Sequence, residues 1–367
     1  MTFPSFSILN QFRKRLLAWY DADHRDLPWR NTNDPYKIWL SEIMLQQTTV
    51  KTVWHRWSQF LEKFPDVHVL ARADVEEVLA EWSGLGYYAR ARNLHKAAVI
   101  ISKEMNGEFP QSFELLLALP GMGKYTAAAV SSIAFNFPVA VVDANVERVL
   151  TRIEANKNNI TQSKVKRELW DRAQDYLSQK RPGDWNQAMM ELGATVCFPK
   201  EPLCSSCPVK KFCKAFELGT PEMFPVKSGK APMKEVREVT ARIPLDDKTL
   251  LLHRKNSGSF ANMWELPRGV VGDEEISHDA VKRIVKEQTG LETESSVPVQ
   301  KIKHVVMRSK ITLTVYDCQL PEKKKKKIKL EPRQHQKFEW VDNDQWLAMA
   351  LSTTQKRIAK YFVNNEP

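Results

Sequence analysis

The stretch that decides the fold of this chain is LPGMGKYTA, residues 119–127. Pro120 ends one helix, and Gly121 and Gly123 allow a tight turn that leaves backbone N–H groups exposed. A second helix then begins with its positive dipole end at the turn, and such a turn binds phosphate through backbone amides. A plain turn between two helices is the alternative. Leu-Pro-Gly-x-Gly with a helix on each side favours the phosphate-binding hairpin.

The sequence around this hairpin is helical over almost all of residues 5–215, where apolar side chains recur at three-to-four spacing. Residues 216–235 lose that spacing and gain proline, glycine and lysine, which is typical of a linker. The sequence therefore predicts a multidomain chain, with an all-α domain over 1–215 and an α+β domain over 236–367. The elements predicted for the second domain are strands at 238–244, 249–253 and 311–316 and a helix at 277–288.

The chain is strongly basic, with a formal net charge of +11 and a pI of about 9.3. An excess of this size favours a polyanionic partner, most often nucleic acid, although surplus lysine also serves solubility. Lys323–Lys327, with Lys329, form a run that is expected to be an exposed loop. Such a run attracts phosphate without reading sequence.

Targeting signals are missing from the sequence as given. No apolar run approaches the roughly 18 residues of a membrane span, and the N-terminal segment lacks the apolar core and cleavage site of a signal peptide. We interpret that segment as an amphipathic helix and expect a cytoplasmic protein. The face predicted to be buried carries Ile8, Phe12, Leu16 and Trp19.

Four of the five cysteines fall within 17 residues, with gaps of six, two and five residues between them. They are Cys197, Cys204, Cys207 and Cys213. Thiolates this close in sequence can converge on one inorganic centre without a long loop to close. A disulfide framework is disfavoured because the rest of the chain holds only Cys318. Zinc sites usually pair two Cys-x-x-Cys hooks and here there is one, so spacing favours iron–sulfur and leaves zinc open.

The hairpin, an acidic residue 20 positions after Gly123 (Asp143) and the cysteine loop together resemble the helix–hairpin–helix DNA glycosylase superfamily. Within it the chain resembles the MutY-type adenine glycosylase family over essentially its whole length. The segments that carry the resemblance are LPWR (27–30), LSEIMLQQT (40–48), GLGYY (84–88), VDANV (142–146) and NQAMMELG (186–193). The resemblance implies a 4Fe-4S cluster on the four cysteines and removal of adenine mispaired with 8-oxoguanine or guanine in double-stranded DNA. It also implies a nucleoid-associated bacterial protein, expected to be a monomer.

Two carboxylates suit the chemistry of such a reaction. Cleaving an N-glycosidic bond needs an acid to protonate the departing base and an anion to stabilise the oxocarbenium-like sugar. Glu42 lies in an otherwise apolar helix, where burial raises the pKa and keeps a proton available. Asp143 is expected to stay ionised. The resemblance assigns the same roles, with Glu42 on an adenine ring nitrogen and Asp143 beside the sugar cation.

The residue after the hairpin decides between subclasses. In the bifunctional endonuclease III branch a lysine at this position attacks the sugar, whereas here the position holds Tyr125. Lys124 is one residue too early, about 100° around the helix. We therefore expect little or no lyase activity, with an endonuclease III-like pyrimidine-lesion glycosylase as the alternative. The resemblance implies that Tyr125 lies near Asp143 and that Asn145 holds the sugar or the carboxylates.

The target base must leave the duplex before Glu42 reaches it. The resemblance implies that Gln47 and Tyr87 enter the base stack and that Arg25, Arg30 and Gln187 surround the flipped adenine. Amide and aromatic side chains beside glycine-rich turns suit such intrusion. The remaining predicted DNA contacts are Thr48, Gly121, Gly123 and Arg308.

Residues 269–291 have the length of a Nudix box, which holds magnesium with several glutamates. The expected Arg-Glu pair is Arg283-Ile284 and the expected Glu-Glu pair is Glu287-Gln288, so two metal carboxylates are absent. We predict a Nudix-like domain that recognises the lesion and does not hydrolyse diphosphates. The family's reading loop commonly holds Phe-Ser-His, and here it holds Val306, Met307 and Arg308. We therefore expect weaker or altered discrimination of 8-oxoguanine from guanine.

Overall fold

A computed structural model of the chain describes residues 5–229, 232–321 and 328–364. The lysine run predicted to be a loop, 323–327, lies outside the described residues. Internal contacts divide the chain into two compact units. The first unit comprises Met1–Ala71 and Lys96–Lys230, and the second comprises Arg72–His95 and Ala231–Pro367.

The helices account for nearly all regular structure before residue 218. They are α1 (Phe6–Asp23), α2 (Pro35–Leu45), α3 (Val50–Lys63), α4 (Val67–Arg72), α5 (Val75–Glu81), α6 (Ala89–Glu104), α7 (Phe113–Ala118), α8 (Lys124–Phe135), α9 (Ala144–Glu154), α10 (Ser163–Tyr176), α11 (Pro182–Thr195) and α12 (Lys214–Glu217), followed late in the chain by α13 (Ser277–Thr289), α14 (Asn343–Ala348) and α15 (Thr353–Asn364). No helix among the described residues is long and apolar enough to cross a membrane.

Helix α1 packs into the core of the first unit with a face one residue away from the predicted one. The buried side chains are Leu9, Phe12, Leu16 and Tyr20, while Ile8 is 45% exposed. Phe12 belongs to both faces, and its ring contacts the rings of Tyr176 and Trp185, with centroids 5.5 and 5.6 Å apart. Apolar periodicity alone leaves two adjacent faces of similar hydrophobicity, and the partner helices choose between them.

Short capping interactions position the helices that carry the predicted site. Asp34 accepts a hydrogen bond from the Tyr36 backbone N–H at the start of α2, and Thr49 caps α3 in the same way through Thr52. Gly123 is the N-cap of α8. Asp143 is the N-cap of α9. Because side-chain caps satisfy backbone donors that the helix leaves unpaired, they fix where each helix begins.

The strands lie in the second unit, as the sequence predicted, and they form two sheets. They are β1 (Lys234–Arg242), β2 (Pro244–Leu245), β3 (Lys248–Arg254), β4 (Trp264–Glu265), β5 (Arg268–Val270), β6 (Ser295–Val306), β7 (Ser309–Gln319) and β8 (His335–Val341). The first sheet has the order β5-β1-β7-β6, with β1 parallel to β7 and the other neighbours antiparallel. In the second sheet, β3 pairs with β2, β4 and β8.

The predicted helix over 277–288 is α13, which buries Ala280, Val281, Ile284 and Val285 against the first sheet. The α+β class of the second part is therefore confirmed, as is the all-α class of the first part.

The segment Arg72–His95 belongs to the second unit because its side chains bond to strands that lie far along the chain. Glu76 is the main anchor. Its carboxylate accepts a hydrogen bond from Trp264 Nε1 at 3.1 Å, and it lies 3.1 Å from Lys337 Nζ and 3.2 Å from His253 Nε2. The Tyr88 hydroxyl donates to the Leu351 carbonyl at 3.2 Å. The GLGYY segment is thus held in part by Leu351, which lies 263 positions after Tyr88 in the sequence.

Candidate active site and nucleic-acid interface

A cavity of about 680 Å³ opens in the first unit between α2, α8, α9 and α11. Its volume lies within the range of sites that hold small ligands. Ten of the residues predicted from sequence line it, although they come from five separate segments of the chain. They are Arg25, Arg30, Glu42, Gln47, Thr48, Gly123, Tyr125, Asp143, Asn145 and Gln187.

Glu42 lies on α2 and is only 6% exposed. The Tyr125 hydroxyl donates a hydrogen bond of 2.7 Å to its Oε2 atom. Burial raises the pKa of Glu42 to about 7; the hydrogen bond from Tyr125 opposes that shift and the charge of Asp143 adds to it. A carboxyl group with this pKa is still partly protonated at neutral pH, so it can act as a general acid.

Asp143 uses both carboxylate oxygens at the start of α9. Oδ1 accepts from the Val146 backbone N–H and Oδ2 accepts from Asn145 Nδ2, each at 2.8 Å. Burial raises the pKa of Asp143, and these hydrogen bonds act against that shift because they favour the charged form. The positive end of the α9 dipole also favours an anion at this position.

Tyr125 points into the cavity from the first turn of α8, and its neighbour Lys124 is directed elsewhere. The Lys124 ammonium lies 4.2 Å from the centre of the Trp170 ring, which is a cation–π contact. The residue one position earlier than the expected nucleophile is therefore engaged on the outside of the hairpin helix.

Glu191 is a residue of the site that the sequence analysis missed. It is fully buried on α11 and binds Arg25 Nε and Arg30 Nη2, each at 2.7 Å. Burial raises the pKa of Glu191, but hydrogen bonds from the two arginines outweigh it and lower the pKa to about 2. The ionised carboxylate holds both guanidinium groups at the cavity wall. A signal was present, since Glu191, like Glu42, interrupts an apolar helical run.

Arg148 connects Asp143, through Asn145, with the cysteine loop. Its Nη2 atom donates to Asn145 Oδ1 at 2.9 Å and to the Gly193 carbonyl at 2.7 Å. Its Nε atom donates to the Cys197 carbonyl at 2.7 Å. Asn145 in turn donates to Asp143, so a continuous chain of hydrogen bonds runs from Cys197 to this half-buried carboxylate.

The four cysteines line a small cavity at the end of α9 and α11. Arg152, fully buried on α9, organises the loop: its Nη1 atom lies 3.2 Å from Cys197 Sγ and 2.6 Å from the Phe198 carbonyl. Burial and the neighbouring cysteines together raise the pKa of Cys207 to about 12, although a backbone hydrogen bond from Val209 acts against that shift. Thiols in such surroundings become thiolates when they bind a cationic centre.

The glycine hairpin forms the turn that its sequence predicted. Gly121 has a φ of +77°, which glycine adopts without strain. Gly123 has an ordinary φ of −71°, and a Cβ atom at this position would meet nothing within 4 Å. The contacts around position 123 therefore do not require glycine, and the space beside the N-terminus of α8 is open.

Two further DNA-contact candidates, Tyr87 and Arg308, belong to the second unit. Tyr87 is 54% exposed and has a φ of +48°. Arg308 follows Met307 in the two-residue turn between β6 and β7, where Val306 pairs with Ser309. Met307 has a φ of +52° and is 88% exposed. In the first unit Gln47 also has a positive φ, +56°. Left-handed backbone at residues other than glycine is strained and is concentrated at functional sites.

The Nudix-box positions carry no metal carboxylate cluster. Ile284 fills the place of one expected glutamate and packs so closely that a Cβ atom on Gly269 would lie 2.7 Å from it. Gln288 exchanges hydrogen bonds with the backbone of Arg268. Glu287 pairs with Arg283 at 3.2 Å. Within the described part of the chain no three His, Cys, Asp or Glu side chains are arranged to hold a single metal ion.

Comparison with known families gives two matches. Residues 40–175 match the HhH-GPD superfamily of base excision DNA repair proteins, and residues 239–361 match the NUDIX domain. Among solved structures, a thermostable thymine-DNA glycosylase is 30% identical, with a TM-score of 0.53 over 58% of this chain and 98% of that one. A trapped endonuclease III–DNA covalent intermediate has a TM-score of 0.51 at 24% identity and shows the fold alone.

Fold, cavity and family matches together define a base-excision DNA glycosylase of the helix–hairpin–helix class with a C-terminal Nudix domain. Curated relatives narrow the class. The adenine DNA glycosylase of Rattus norvegicus is 34% identical over 98% of this chain and 79% of its own length, and that of Homo sapiens is 33% identical over 100% and 76%. The chain belongs to the adenine DNA glycosylase family. It is an adenine DNA N-glycosylase, and its partner is DNA.

Proposed function

We propose that this enzyme removes adenine mispaired with 8-oxoguanine or guanine and leaves the sugar–phosphate backbone uncut. The observation that supports the chemistry most directly is the buried Glu42, with its raised pKa, lining the same cavity as Asp143. Glu42 protonates a ring nitrogen of the flipped adenine, and the base leaves as a neutral molecule. Asp143 stabilises the positive charge that develops on the sugar, and a water molecule completes the hydrolysis.

The lack of lyase activity follows from the residue beside the cavity. A Schiff base requires an amine at the sugar, and the side chain at position 125 is a phenol bonded to Glu42. Lys124 stacks on Trp170 and would have to leave that contact to reach the cavity. We infer that hydrolysis ends with the abasic site.

Base flipping is assigned to two residues with strained backbone. Gln47, at the cavity rim, and Tyr87 enter the base stack, where unstacking costs a few kcal/mol. Arg25, Arg30 and Gln187 surround the extruded adenine. Glu191 fixes the two arginines before the base arrives, so their side-chain entropy is lost during folding and not during binding.

The cysteine loop fits a 4Fe-4S cluster better than a zinc ion. The four cysteines line one small cavity, and zinc sites usually pair two Cys-x-x-Cys hooks, whereas this loop has one, Cys204 to Cys207. A cluster distributes its four thiolates over four irons. Cys197, Cys204, Cys207 and Cys213 would hold it, and it would supply structural and electrostatic support to the loop between them.

The test of the proposed function is release of free adenine from a duplex with one adenine opposite 8-oxoguanine. We expect adenine in the supernatant and strand cleavage only in aliquots treated with alkali, because no lyase acts. The same preparation should absorb near roughly 400 nm, as thiolate-bound iron–sulfur centres do. Cleavage without alkali, or release of a pyrimidine and no adenine, would contradict the proposal.

The reading turn at Met307 predicts modest selectivity for the oxidised partner base. The thioether offers no hydrogen-bond donor, and Arg308 can donate to a guanine edge as well as to a phosphate. We expect adenine opposite 8-oxoguanine to be excised less than about tenfold faster than adenine opposite guanine. Met307→Ser should widen that ratio about fivefold, which is the ~1 kcal/mol of one added hydrogen bond. The measurement is single-turnover excision from both duplexes. A ratio far above tenfold in the unmodified enzyme would count against the assignment.

A further inference from the structure

The backbone of residues 84–88 is held in an unusual conformation. Gly84, Gly86 and Tyr87 have φ values of +96°, +67° and +48°. Glycine adopts such values freely, but for a bulky residue such as tyrosine they are unfavourable. Strain of this kind persists only where surrounding contacts fix the turn in more than one way.

Arg90 supplies several of these contacts. Its Nη2 atom donates to the Leu85 carbonyl at 2.8 Å and to the Gly86 carbonyl at 3.1 Å. Its backbone N–H donates to the Tyr87 carbonyl, also at 2.8 Å. Three consecutive carbonyls of the strained turn are therefore bound by one residue.

The guanidinium of Arg90 also contacts two aromatic rings. It lies 5.4 Å from the centre of the Trp82 ring and 5.7 Å from the centre of the Tyr87 ring. Trp82 is fully buried, and its Nε1 atom donates to the Gly86 carbonyl at 3.2 Å. The guanidinium thus contacts a buried ring, Trp82, and an exposed ring, Tyr87.

We propose that Arg90 is a positioning residue for Tyr87, holding the exposed ring in the orientation from which it enters the base stack beside the target adenine. This inference rests on the proposed role of Tyr87 in base flipping. An arginine is suited to the task because its planar guanidinium can donate to two carbonyls through one terminal nitrogen and also contact aromatic rings. Lysine keeps the charge but lacks the flat guanidinium face.

The proposal makes a prediction that a purely structural role for Arg90 does not. Insertion of Tyr87 is needed only where the adenine must be extracted from a stacked base pair. Arg90→Met is therefore expected to slow single-turnover excision about tenfold for adenine paired with 8-oxoguanine, which is the loss of two hydrogen bonds and a cation–π contact. For the same adenine in an unpaired bulge the rate should change less than about twofold. Arg90→Lys should fall between Arg90→Met and the unmodified enzyme on the paired duplex.

A double-mutant cycle tests whether Arg90 acts through Tyr87. With Tyr87→Ala already present, adding Arg90→Met should cost less than about twofold more on the paired duplex. Arg72→Met is the matched control, because Arg72 is an exposed arginine of the same unit, and it should leave both rates unchanged. The salt dependence of DNA binding should be the same for Arg90→Met as for the unmodified enzyme.

Several results would overturn the inference. Equal slowing of the paired and bulged substrates would mean that Arg90 supports folding or chemistry. A salt slope reduced by about one would mean that Arg90 binds a phosphate. If the rate losses caused by Arg90→Met and Tyr87→Ala multiply in the double variant, the two residues act independently. If Tyr87→Ala has no effect on the paired duplex, the proposed role of Tyr87 fails and this inference fails with it; slowing by Tyr87→Ala but not by Arg90→Met removes this inference alone.

Discussion

Glu42→Gln is expected to slow adenine release by about a thousandfold, within the range that a positioned general acid contributes. Glutamine has nearly the same shape as glutamate and can still accept the hydrogen bond from Tyr125, but it has no acidic proton for the base. DNA binding should be retained, because the change removes no positive charge. Single-turnover release of adenine, with binding measured separately on the same duplex, checks both halves of the prediction.

The pH dependence of the reaction provides a second measurement on Glu42. The group must be protonated to act, and burial raises its pKa to about 7, so the rate under subsaturating conditions should fall as pH rises through about 7. The hydrogen bond from Tyr125 lowers the pKa of Glu42, and Tyr125→Phe should therefore move this fall to higher pH. Glu62→Gln, on an exposed part of α3, is the charge-matched control and should alter neither rate nor profile. Adenine release by Glu42→Gln at the unmodified rate would refute the assignment.

Asp143→Asn is expected to slow adenine release by about 10²–10³-fold, which is typical of losing one charge that stabilises a transition state. Asparagine and aspartate are equally good helix N-caps, so α9 should keep its start. The new amide faces Asn145 Nδ2, a donor, and this mismatch should lower the free energy of unfolding by only about 1–2 kcal/mol. Excision kinetics and urea denaturation of the same preparation separate the two effects.

The control for this variant is Asp34→Asn, which makes the same change at the N-cap of α2. It should cost little stability, because asparagine caps a helix as well as aspartate does, and it should leave the excision rate unchanged, because Asp34 lies outside the cavity lining. DNA affinity provides a further test of this variant. Because Asp143→Asn removes a negative charge from the cavity, the variant should bind DNA more tightly than the unmodified enzyme or equally well. An Asp143→Asn enzyme that is stable, binds DNA and excises adenine normally would show that no charge is needed there.

The second unit shows which structural elements can be predicted from local sequence patterns. Alternating apolar residues predicted β1, β3 and β7 and the periodicity predicted α13, because strand and helix periods are properties of short segments. Periodicity did not identify the replaced metal carboxylates at Ile284 and Gln288, which were found by alignment with the Nudix box. It did not predict that residues 72–95 associate with the second unit, since that depends on contacts between Glu76 and strands that are distant in sequence.

The residues of the candidate site also divide into those identified from the sequence and those found only in the structure. Glu42 and the hairpin glycines were visible because each lies in a short segment with a local signal, an acid in an apolar run or a Pro-Gly-x-Gly turn. Asp143 was identified from its spacing after Gly123 and from the family resemblance. Arg148 was missed because its role depends on partners that lie far away in the sequence. Glu191 was missed although it interrupts an apolar run as Glu42 does, and its role becomes clear only from its distant partners. Glu191 binds Arg25 from 166 residues away, and Arg148 joins Asn145 to the cysteine loop.

The sequence by itself determined the helix class of the first part, the mixed class of the second, the hairpin turn, the cysteine spacing and the chemical types available for catalysis. These follow from interactions within a few residues, for which the order of side chains is sufficient information. Only the tertiary structure decided which face of α1 is buried, how Glu42 acquires a raised pKa beside Tyr125 from 83 residues away, and how Arg90 holds the strained Tyr87 turn. Burial, pKa and strain depend on what surrounds a group in space, and folding brings those surroundings together from every part of the chain.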